Sequence, residues 1–444
     1  MIRCAEPPAT LGGALRFIGP GLVSSASIVG SGELITTTVL GGEVGFVALW
    51  VILLSCLGKV FTQLEFGKHA IACGQPTLGA FNTLPGPRLG RGSWAVWMWL
   101  VLMGTKFIQY GGIVGSVALM LALLVPAVPV WAWALLTALS SAWLVHRGYY
   151  STVERGAVAM MFLFTLLTLA CLAFVQTTPY ALRADDLLAG LTFTLPAASI
   201  GLVLAAFGTT GVSADEAIIY PYWCLEKGYA AATGPRPATP SEEWTRRARG
   251  WIRVMYLDAA VSMVVYTVVT VALYLLGAAV LHGRADRLES SAMVESLALL
   301  YTETLGGWAK PVFLVGGALV LYKTLFVSVA GWARVFADAF VQVGFSAETG
   351  ADATRTRQLR RLTWIFPLVW AALFLGVKLP VFMVIIGGVG TAVLTLLVVF
   401  AACCFRWRDL PPELKPSRVY DAGLLISMAL ILGFSAYSLW TLWR

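Results

Sequence analysis

Charged residues are scarce in this chain. Asp, Glu, Lys and Arg make up 12% of its 444 residues, whereas hydrophobic residues make up 59%. A soluble protein carries about 25% charged residues, so the composition excludes an ordinary soluble protein and predicts an integral membrane protein. The net charge of +8 does not indicate a nucleic-acid partner, because the basic residues are distributed by loop and form no basic face.

Paired cysteines and clustered histidines are also missing. The seven cysteines are scattered without a C-x-x-C pair, which argues against a disulfide framework or a zinc site. The three histidines fall outside the predicted spans, and none has H-E-x-x-H spacing. We therefore expect neither a membrane-embedded enzyme nor a bound cofactor. No basic, apolar and small-residue pattern precedes the first span, so we expect no cleaved signal peptide.

Long apolar runs are abundant. A helix needs about 20 apolar residues to cross a bilayer, and the chain contains eleven such runs: 17–40, 45–66, 94–124, 129–145, 154–177, 196–221, 254–281, 308–334, 360–377, 380–404 and 420–442. The polar stretches 67–93, 222–252 and 335–359 are predicted loops, and none is long enough to form a separate domain. We expect one all-α transmembrane domain over 1–444.

The orientation follows from the basic residues, which favour the cytoplasmic side of a membrane. With the N-terminus inside, 22 of the 31 Lys and Arg residues lie on the cytoplasmic side and 6 on the opposite side. The other three, Lys59, Lys106 and Lys323, lie within spans. This bias predicts a cytoplasmic N-terminus in a multi-pass protein of the cell (inner) membrane.

Two spans are interrupted by the same kind of sequence. Gly30-Ser31-Gly32-Glu33 lies within the first span, and Gly208 to Glu216 lies within the sixth. Glycine weakens a helix interior by about 1 kcal/mol relative to Ala. The two spans cross in opposite directions, and such a matched pair is typical of transporters built from inverted repeats. We predict 5+5 repeats over 17–177 and 196–404, with an extra helix over 420–442.

The acidic residues at these breaks are the candidate metal ligands: Glu33, Asp215 and Glu216. Acids within a membrane are costly and are usually functional. Several carboxylates around a gap suit a hard divalent cation such as Mg²⁺. The alternative is that each acid caps the N-terminus of the half-helix that follows it. Adjacent helix residues point about 100° apart, so we expect only one of Asp215 and Glu216 to face the site squarely.

The other candidate substrate-binding residues surround the breaks and offer hydroxyl or backbone groups: Ser27, Gly30, Ser31, Gly32, Thr209, Thr210, Gly211 and Val212. Their oxygens either complete the shell of a cation and its waters or satisfy the broken backbone.

Lys106 and Lys323 lie deep in spans 3 and 8. Either a lysine occupies a coupling-ion position as a tethered cation, or it pairs with a carboxylate, as Lys323 with Asp215, or snorkels toward an interface. Lys59 and Glu65, near the inner end of span 2, are predicted to be interfacial.

Several segments outside the breaks carry motifs of their own. Gly19-Pro20-Gly21 precedes the first break, and Gly45-Phe46 and Leu49-Trp50 follow it. Tyr150 to Arg155 lies at the start of span 5, and Leu305-Gly306 to Arg334 covers span 8. These segments resemble the first helix, the start of span 5 and span 8 of the Nramp family of metal-ion transporters, and the resemblance covers most of the chain. It implies a LeuT-like fold and a secondary transporter of divalent cations.

The same resemblance shows where this chain departs from the family. The family's metal-binding Asp and Asn fall at Gly30 and Glu33, and its Met, a soft ligand, falls at Val212. The family's acidic proton-relay pair falls at Gln109 and Gly112. Neither residue has a side chain that takes up or releases a proton at physiological pH. These losses resemble those of magnesium-transporting relatives that import a hydrated hard cation. The candidate coupling-path residues are Lys106, Gln109 and Lys323.

A second resemblance competes with the first. Ile28-Val29-Gly30-Ser31-Gly32 is similar to the G-S-G break of amino-acid permeases, which share the fold. There the unwound backbone binds a substrate carboxylate.

The sequence therefore predicts a transporter, acting as a monomer in the bilayer, of a hard divalent cation (Mg²⁺ or Mn²⁺) without the usual proton coupling. The alternatives are a transporter of amino acids or small organic ions and a relative that has lost transport.

Overall fold

The protein is helical along most of its length. The computed structural model describes residues 4–30, 32–147, 150–283, 293–346 and 352–443. Its α-helices, in chain order, are α1 Leu11–Leu15, α2 Pro20–Ile28, α3 Thr38–Val44, α4 Leu49–Gly58, α5 Val60–Cys73, α6 Thr77–Phe81, α7 Trp94–Leu124, α8 Val130–His146, α9 Tyr150–Phe174, α10 Ala184–Ala189, α11 Ile200–Thr209, α12 Ala214–Lys227, α13 Tyr229–Thr233, α14 Glu242–Leu281, α15 Met293–Leu305, α16 Ala309–Gln342, α17 Asp352–Val377, α18 Pro380–Cys404 and α19 Arg418–Trp443.

Shorter elements complete the described part of the chain. Two π-helices cover Gly32–Thr37 and Phe405–Asp409, and 3₁₀ turns cover Val175–Thr177, Ala197–Ser199 and Pro412–Leu414. Strands β1 (Arg88–Leu89) and β2 (Gly92–Ser93) pair antiparallel within a predicted loop. This two-stranded ribbon is the exception to the all-α prediction.

The predicted spans correspond to helices in the structure. Nine segments of the described chain are long and apolar enough to cross a membrane, and a tenth apolar helix, α8, is 17 residues long. The first span is divided into α2, the π-helix Gly32–Thr37 and α3. Together these segments account for the eleven predicted spans of a multi-pass membrane protein.

Several predicted loops are partly helical, which corrects their boundaries. Helix α14 begins at Glu242, within the predicted loop 222–252, because the Ser241 side chain accepts a hydrogen bond from the Trp244 backbone N–H and caps the helix. Helix α16 likewise extends to Gln342. Hydropathy marks only the part of a helix that faces hydrocarbon, so it misses such extensions into water. Helix α15 was not predicted, because its 13 residues are too few to form an apolar run that crosses a bilayer.

The histidines correct a second prediction. His69 lies within α5, inside the segment that crosses the membrane, and His146 is the last residue of α8. The His69 ring is buried and stacks on Phe405, with the ring centroids 4.2 Å apart. Its Nε2 lies 3.8 Å from Asp409 Oδ2. This histidine packs at the end of a helix and lies outside the group of residues at the breaks.

Both predicted interruptions are present. Helix α2 ends at Ile28 and helical structure resumes at Gly32, while Ser31 lies outside the described residues. Helix α11 ends at Thr209 and α12 begins at Ala214. Gly211 has a φ of +59°, in the left-handed region that favours glycine. Gly32 is required for another reason: a Cβ there would lie 2.7 Å from the Thr209 carbonyl oxygen, so the two breaks approach closely.

Long helices surround the broken ones. Helix α2 packs against α12, α14 and α16, while α11 packs against α18 and α4. A buried aromatic cluster joins α7, α16 and α17: the Tyr110 and Trp332 rings are 4.6 Å apart and the Trp332 and Trp370 rings 5.3 Å apart. Edge-to-face pairs of this kind are favourable beyond their burial. The cluster holds Tyr110 against the region between the two breaks.

Candidate functional site

The C-terminal end of α2 lies inside the protein and carries carbonyl groups that its own helix does not satisfy. Lys323, from α16, is fully buried and donates hydrogen bonds from its ammonium to the Ala26 carbonyl and, at 2.5 Å, to the Val29 carbonyl. A cation here meets the negative end of the helix dipole. The prediction that Lys323 pairs with Asp215 is therefore wrong, because Lys323 caps the first half of span 1.

The corresponding end of α11 is capped in the same way. The Lys59 ammonium donates to the carbonyl oxygens of Phe207 at 2.7 Å and Thr210 at 2.5 Å. The Ser55 hydroxyl lies 3.0 and 2.9 Å from the same two oxygens. Lys59 is 2% exposed, so its prediction as an interfacial residue is wrong. The sequence did indicate a role at the site, because Lys59 lies within a predicted span, where a charged residue is usually functional.

The N-terminal end of α2 is capped by the acidic side chain of Asp258. The Asp258 carboxylate accepts hydrogen bonds from the backbone N–H groups of Gly19 at 2.8 Å and Gly21 at 2.6 Å, and from the Tyr220 hydroxyl at 3.1 Å. It therefore caps the helix N-terminus from α14, where negative charge is favourable. Asp258 at one end and Lys323 at the other bracket this short helix with matched charges.

Glu33 accepts hydrogen bonds from both breaks. Its side chain is fully buried, with Oε2 accepting from the Gly30 N–H at 3.3 Å and Oε1 from the Gly211 N–H at 3.2 Å. One donor belongs to the break in span 1 and the other to the break in span 6. The predicted capping role and a ligand role are compatible, because a carboxylate oxygen has a second lone pair for another partner.

Asp215 lies in the first turn of α12 and pairs with a lysine of α7. Its Oδ1 is 3.0 Å from Lys106 Nζ and accepts a hydrogen bond from the Ser213 hydroxyl at 2.8 Å. The same ammonium donates to Gln109 Oε1 at 2.7 Å and to Thr391 Oγ1 at 2.9 Å. Lys106, rather than Lys323, is thus the partner of Asp215, and Gln109 faces the ammonium.

A small cavity of about 20 Å³ lies between the breaks. It brings together Ser27, Gly32, Thr209, Asp215, Glu216, Lys106 and Gln109 of the predicted site. Four further lining residues were not predicted: Ile28, Tyr110, Ser213 and Thr324. Ile28 and Ser213 lie within the two quoted break motifs but were not singled out, whereas Tyr110 and Thr324 come from α7 and α16, whose register only the folded structure defines. Both Asp215 and Glu216 line the cavity.

The predicted residues of the described chain that do not line this cavity are Glu33, Gly30, Thr210, Gly211, Val212 and Lys323. The Thr210 hydroxyl donates to Ser55 Oγ and to the Ala206 carbonyl, each at 2.8 Å, and Val212 is buried. Gly30 and Gly211 supply the backbone N–H groups that bind Glu33. Thr209 does line the cavity, and its hydroxyl donates to the Ala205 carbonyl at 2.8 Å, so that hydrogen is committed to the broken backbone.

The formal charges of the buried acids and lysines at this centre sum to zero. Three carboxylates, Glu33, Asp215 and Glu216, lie among three ammonium groups, Lys59, Lys106 and Lys323. Within the described ranges, no three Asp, Glu, His or Cys residues are grouped closely enough to hold a metal ion. The cavity presents carboxylate, hydroxyl and amide oxygens, and its lining contains no sulfur.

Comparison with known proteins gives one family and one fold. The family model Nramp, described as natural resistance-associated macrophage protein-like, matches residues 21–441. A search of the curated proteins finds no match.

Three solved structures resemble this chain. A mutant of the Eremococcus coleocola manganese transporter is 15% identical, covering 99% of this chain and 97% of its own length with a TM-score of 0.57. MhsT in complex with L-phenylalanine is 16% identical, covering 98% and 99% with a TM-score of 0.58. Mhp1, a nucleobase-cation-symport-1 family transporter, is 13% identical, covering 98% and 94% with a TM-score of 0.57. At these identities the similarity shows the fold, which is the predicted LeuT-like fold.

The lysine cap on α2 makes a testable prediction. Replacing Lys323→Met removes the donor to two buried carbonyls while keeping the length of the side chain, so we expect a loss of about 1–3 kcal/mol of stability. Thermal unfolding of the purified protein measures this as a lower melting temperature. The control is Lys310→Met, an exposed lysine on the same helix. Equal melting temperatures for the two variants and the unchanged protein would contradict the capping role.

Proposed function

This chain belongs to the Nramp family, and from that premise we propose that it carries a hard divalent cation, Mg²⁺ or Mn²⁺, across the cytoplasmic membrane by alternating access. The observation that supports this most directly is the Glu33 carboxylate, which is bonded to backbone N–H groups of both breaks. A cation held by this acid would connect the two halves of the structure. We propose that the N-terminus is cytoplasmic and that the protein acts as a monomer.

We propose that Asp215 and Glu216 supply further carboxylate oxygens, with Ser27, Ser31 and Thr209 binding the ion or its waters. Carboxylates, hydroxyls and water are the ligands that Mg²⁺, Ca²⁺ and Mn²⁺ prefer. Val212 at the edge of the second break offers no sulfur. This ligand set favours hard cations over those that need a thioether.

The size of the cavity bears on how the ion moves. A cavity of about 20 Å³ is close to the minimum of about 10–15 Å³ that one water needs. A cation with a full shell of waters needs several times that room. We therefore propose that the centre is closed in this conformation and widens when it opens to either side.

We propose that transport is not coupled to protons by the family's usual pair. Gln109 binds the Lys106 ammonium, and a Cβ at position 112 would lie 2.5 Å from the Pro380 carbonyl oxygen. An acidic side chain therefore has no room at position 112. A divalent ion gains about 4.6 kcal/mol per 100 mV of membrane potential, so its import needs no proton gradient.

The balance of buried charges favours a second candidate. A zwitterionic amino acid adds no net charge to a centre with three acids and three lysines, whereas a divalent cation adds two. Its ammonium would bind Glu33 and its carboxylate the G-S-G backbone. MhsT, which shares the fold, is described in complex with L-phenylalanine. Loss of transport is the third possibility, and the flux experiment distinguishes all three.

We predict that uptake of the cation requires the negative charge of Glu33. In proteoliposomes with an inside-negative potential, we expect Mg²⁺ or Mn²⁺ uptake by the unchanged protein and at least about a tenfold loss in Glu33→Gln, equivalent to 1.4 kcal/mol. The substitution removes the charge but keeps the shape. Glu43→Gln, an exposed acid in α3 of the same span, is the control and should transport normally. Amino-acid uptake without metal uptake would favour the second candidate, and no uptake at all would favour lost transport.

Lys106 has a defined place in this proposal. Its ammonium pairs with the Asp215 carboxylate, which would also bind the transported cation. The lysine and the transported cation therefore compete for the same acid. Gln109 and Thr391 also accept hydrogen bonds from Lys106. They can hold the ammonium when Asp215 turns to the incoming ion. We propose that this exchange of partners keeps the empty centre neutral and limits the affinity for the cation.

Replacing Lys106→Met tests that exchange. Asp215 would lose its competing partner, so we expect the dissociation constant for Mg²⁺ or Mn²⁺ to fall by about tenfold, which corresponds to 1.4 kcal/mol. Removing one member of a buried ion pair also destabilises a protein by about 3–5 kcal/mol, so added cation should raise the melting temperature more than in the unchanged protein. Lys106→Arg keeps the charge and serves as control. Cation affinity that is unchanged or weaker in Lys106→Met, by calorimetric titration, would contradict the competition.

A further inference from the structure

A second cavity, of about 850 Å³, lies on the outer surface of the helix bundle, away from the breaks. The residues that line it come from α2, α9, α12 and α14: Leu22, Arg155, Ala159, Met161, Phe162, Thr165, Lys227, Val264, Val265 and Val268. Its volume is within the range of about 300–1,000 Å³ that is common for small-molecule sites. We refer to it as the α9–α14 groove.

The walls of the α9–α14 groove are apolar and exposed. Phe162 is 62% exposed and Val264 is 58% exposed, and Val268 beside them is also exposed. In a span of a membrane protein such side chains face lipid, because an apolar surface of this size is not stable in water. The groove is therefore open to the hydrocarbon of the bilayer along α9 and α14.

Two cations lie at one end of this groove. Arg155, near the start of α9, is exposed and has no hydrogen bond or ion pair with the described residues. Lys227, the last residue of α12, is the second cation; it already has a partner within the protein, and Asp258 is among the charged groups near it. Among the described lining residues, none is acidic. Basic pockets between transmembrane helices on the cytoplasmic side favour anionic lipid headgroups, and the distribution of Lys and Arg places this end of the groove on the cytoplasmic side.

The length of the groove fits one leaflet. From Arg155 to Thr165, α9 advances ten residues, about 15 Å at the rise of an α-helix. Half of the hydrocarbon core of a bilayer is also about 15 Å thick. A molecule with its charged group at Arg155 would thus have its apolar part along Ala159, Phe162 and Val268, as a lipid of that leaflet does.

We propose that the α9–α14 groove binds one anionic phospholipid of the cytoplasmic leaflet. Its phosphate would lie at Arg155 and Lys227, and an acyl chain would lie along Phe162, Val264 and Val268. Leu22 of α2 forms part of the wall, so the bound lipid contacts the first half of the broken span. The lipid is then a structural partner of the helix that carries one side of the central site.

The experiment compares two lipids with different headgroups, one anionic and the other zwitterionic. Phosphatidylglycerol or phosphatidylcholine with identical acyl chains is added to the protein purified in detergent, and the melting temperature is measured. We expect phosphatidylglycerol to stabilise the protein by several degrees more than phosphatidylcholine. The difference should be lost in Arg155→Gln/Lys227→Gln. It should be kept in Lys415→Gln/Arg418→Gln, a control pair of exposed cations on the same predicted side.

A second variant and a soluble anion complete the test. Ala159→Trp fills the groove without changing its charge, so we expect it to abolish the preference for phosphatidylglycerol as well. Inorganic phosphate should give no stabilisation. The proposal is overturned if the two lipids stabilise equally, if the groove variants keep the full difference, or if inorganic phosphate alone reproduces it. The assay measures lipid binding without transport, so its outcome is independent of the cation proposal.

Discussion

Both ends of α2 and the C-terminal end of α11 lie inside this membrane protein, and each is met by a charge of the sign that the end requires. Lys323 and Lys59 bind the last carbonyls of α2 and α11, and Asp258 binds the first N–H groups of α2. Glu33 and Asp215 lie in the first turns of the second halves of the two spans. Broken backbone within a membrane persists only where its polar groups find partners inside the protein. The central cavity exists because these charges make the interruptions stable.

The same charges define the chemistry of the centre. Each carboxylate that is suited to a cation lies among resident ammonium groups, so the centre is close to neutral without a guest. A centre of this kind would bind a cation by exchanging partners, and the Lys106–Asp215 pair has the geometry for that exchange, since Gln109 and Thr391 already contact the ammonium.

The fold was predictable from the sequence to a large extent, and the site only in part. Apolar runs predicted the spans, and the glycines at 30, 32, 208 and 211 predicted both breaks. Glu33, Asp215 and Glu216 were identified because acids are rare in spans. The partners of Lys106 and Lys323 were not predictable, because they depend on how α7 and α16 rotate against distant helices. Lys59 was wrongly predicted to be interfacial, because its position near the end of span 2 does not show that its side chain faces α11.

The most direct test of this account is a crystal structure of the protein with Mn²⁺, in which anomalous scattering locates the ion. The account predicts a peak between the two breaks, within about 2.6 Å of a carboxylate oxygen of Glu33, Asp215 or Glu216, with Lys106 moved away from Asp215. A peak only at the surface, or no peak while the ion is transported, would contradict a cation site formed by the two interrupted helices.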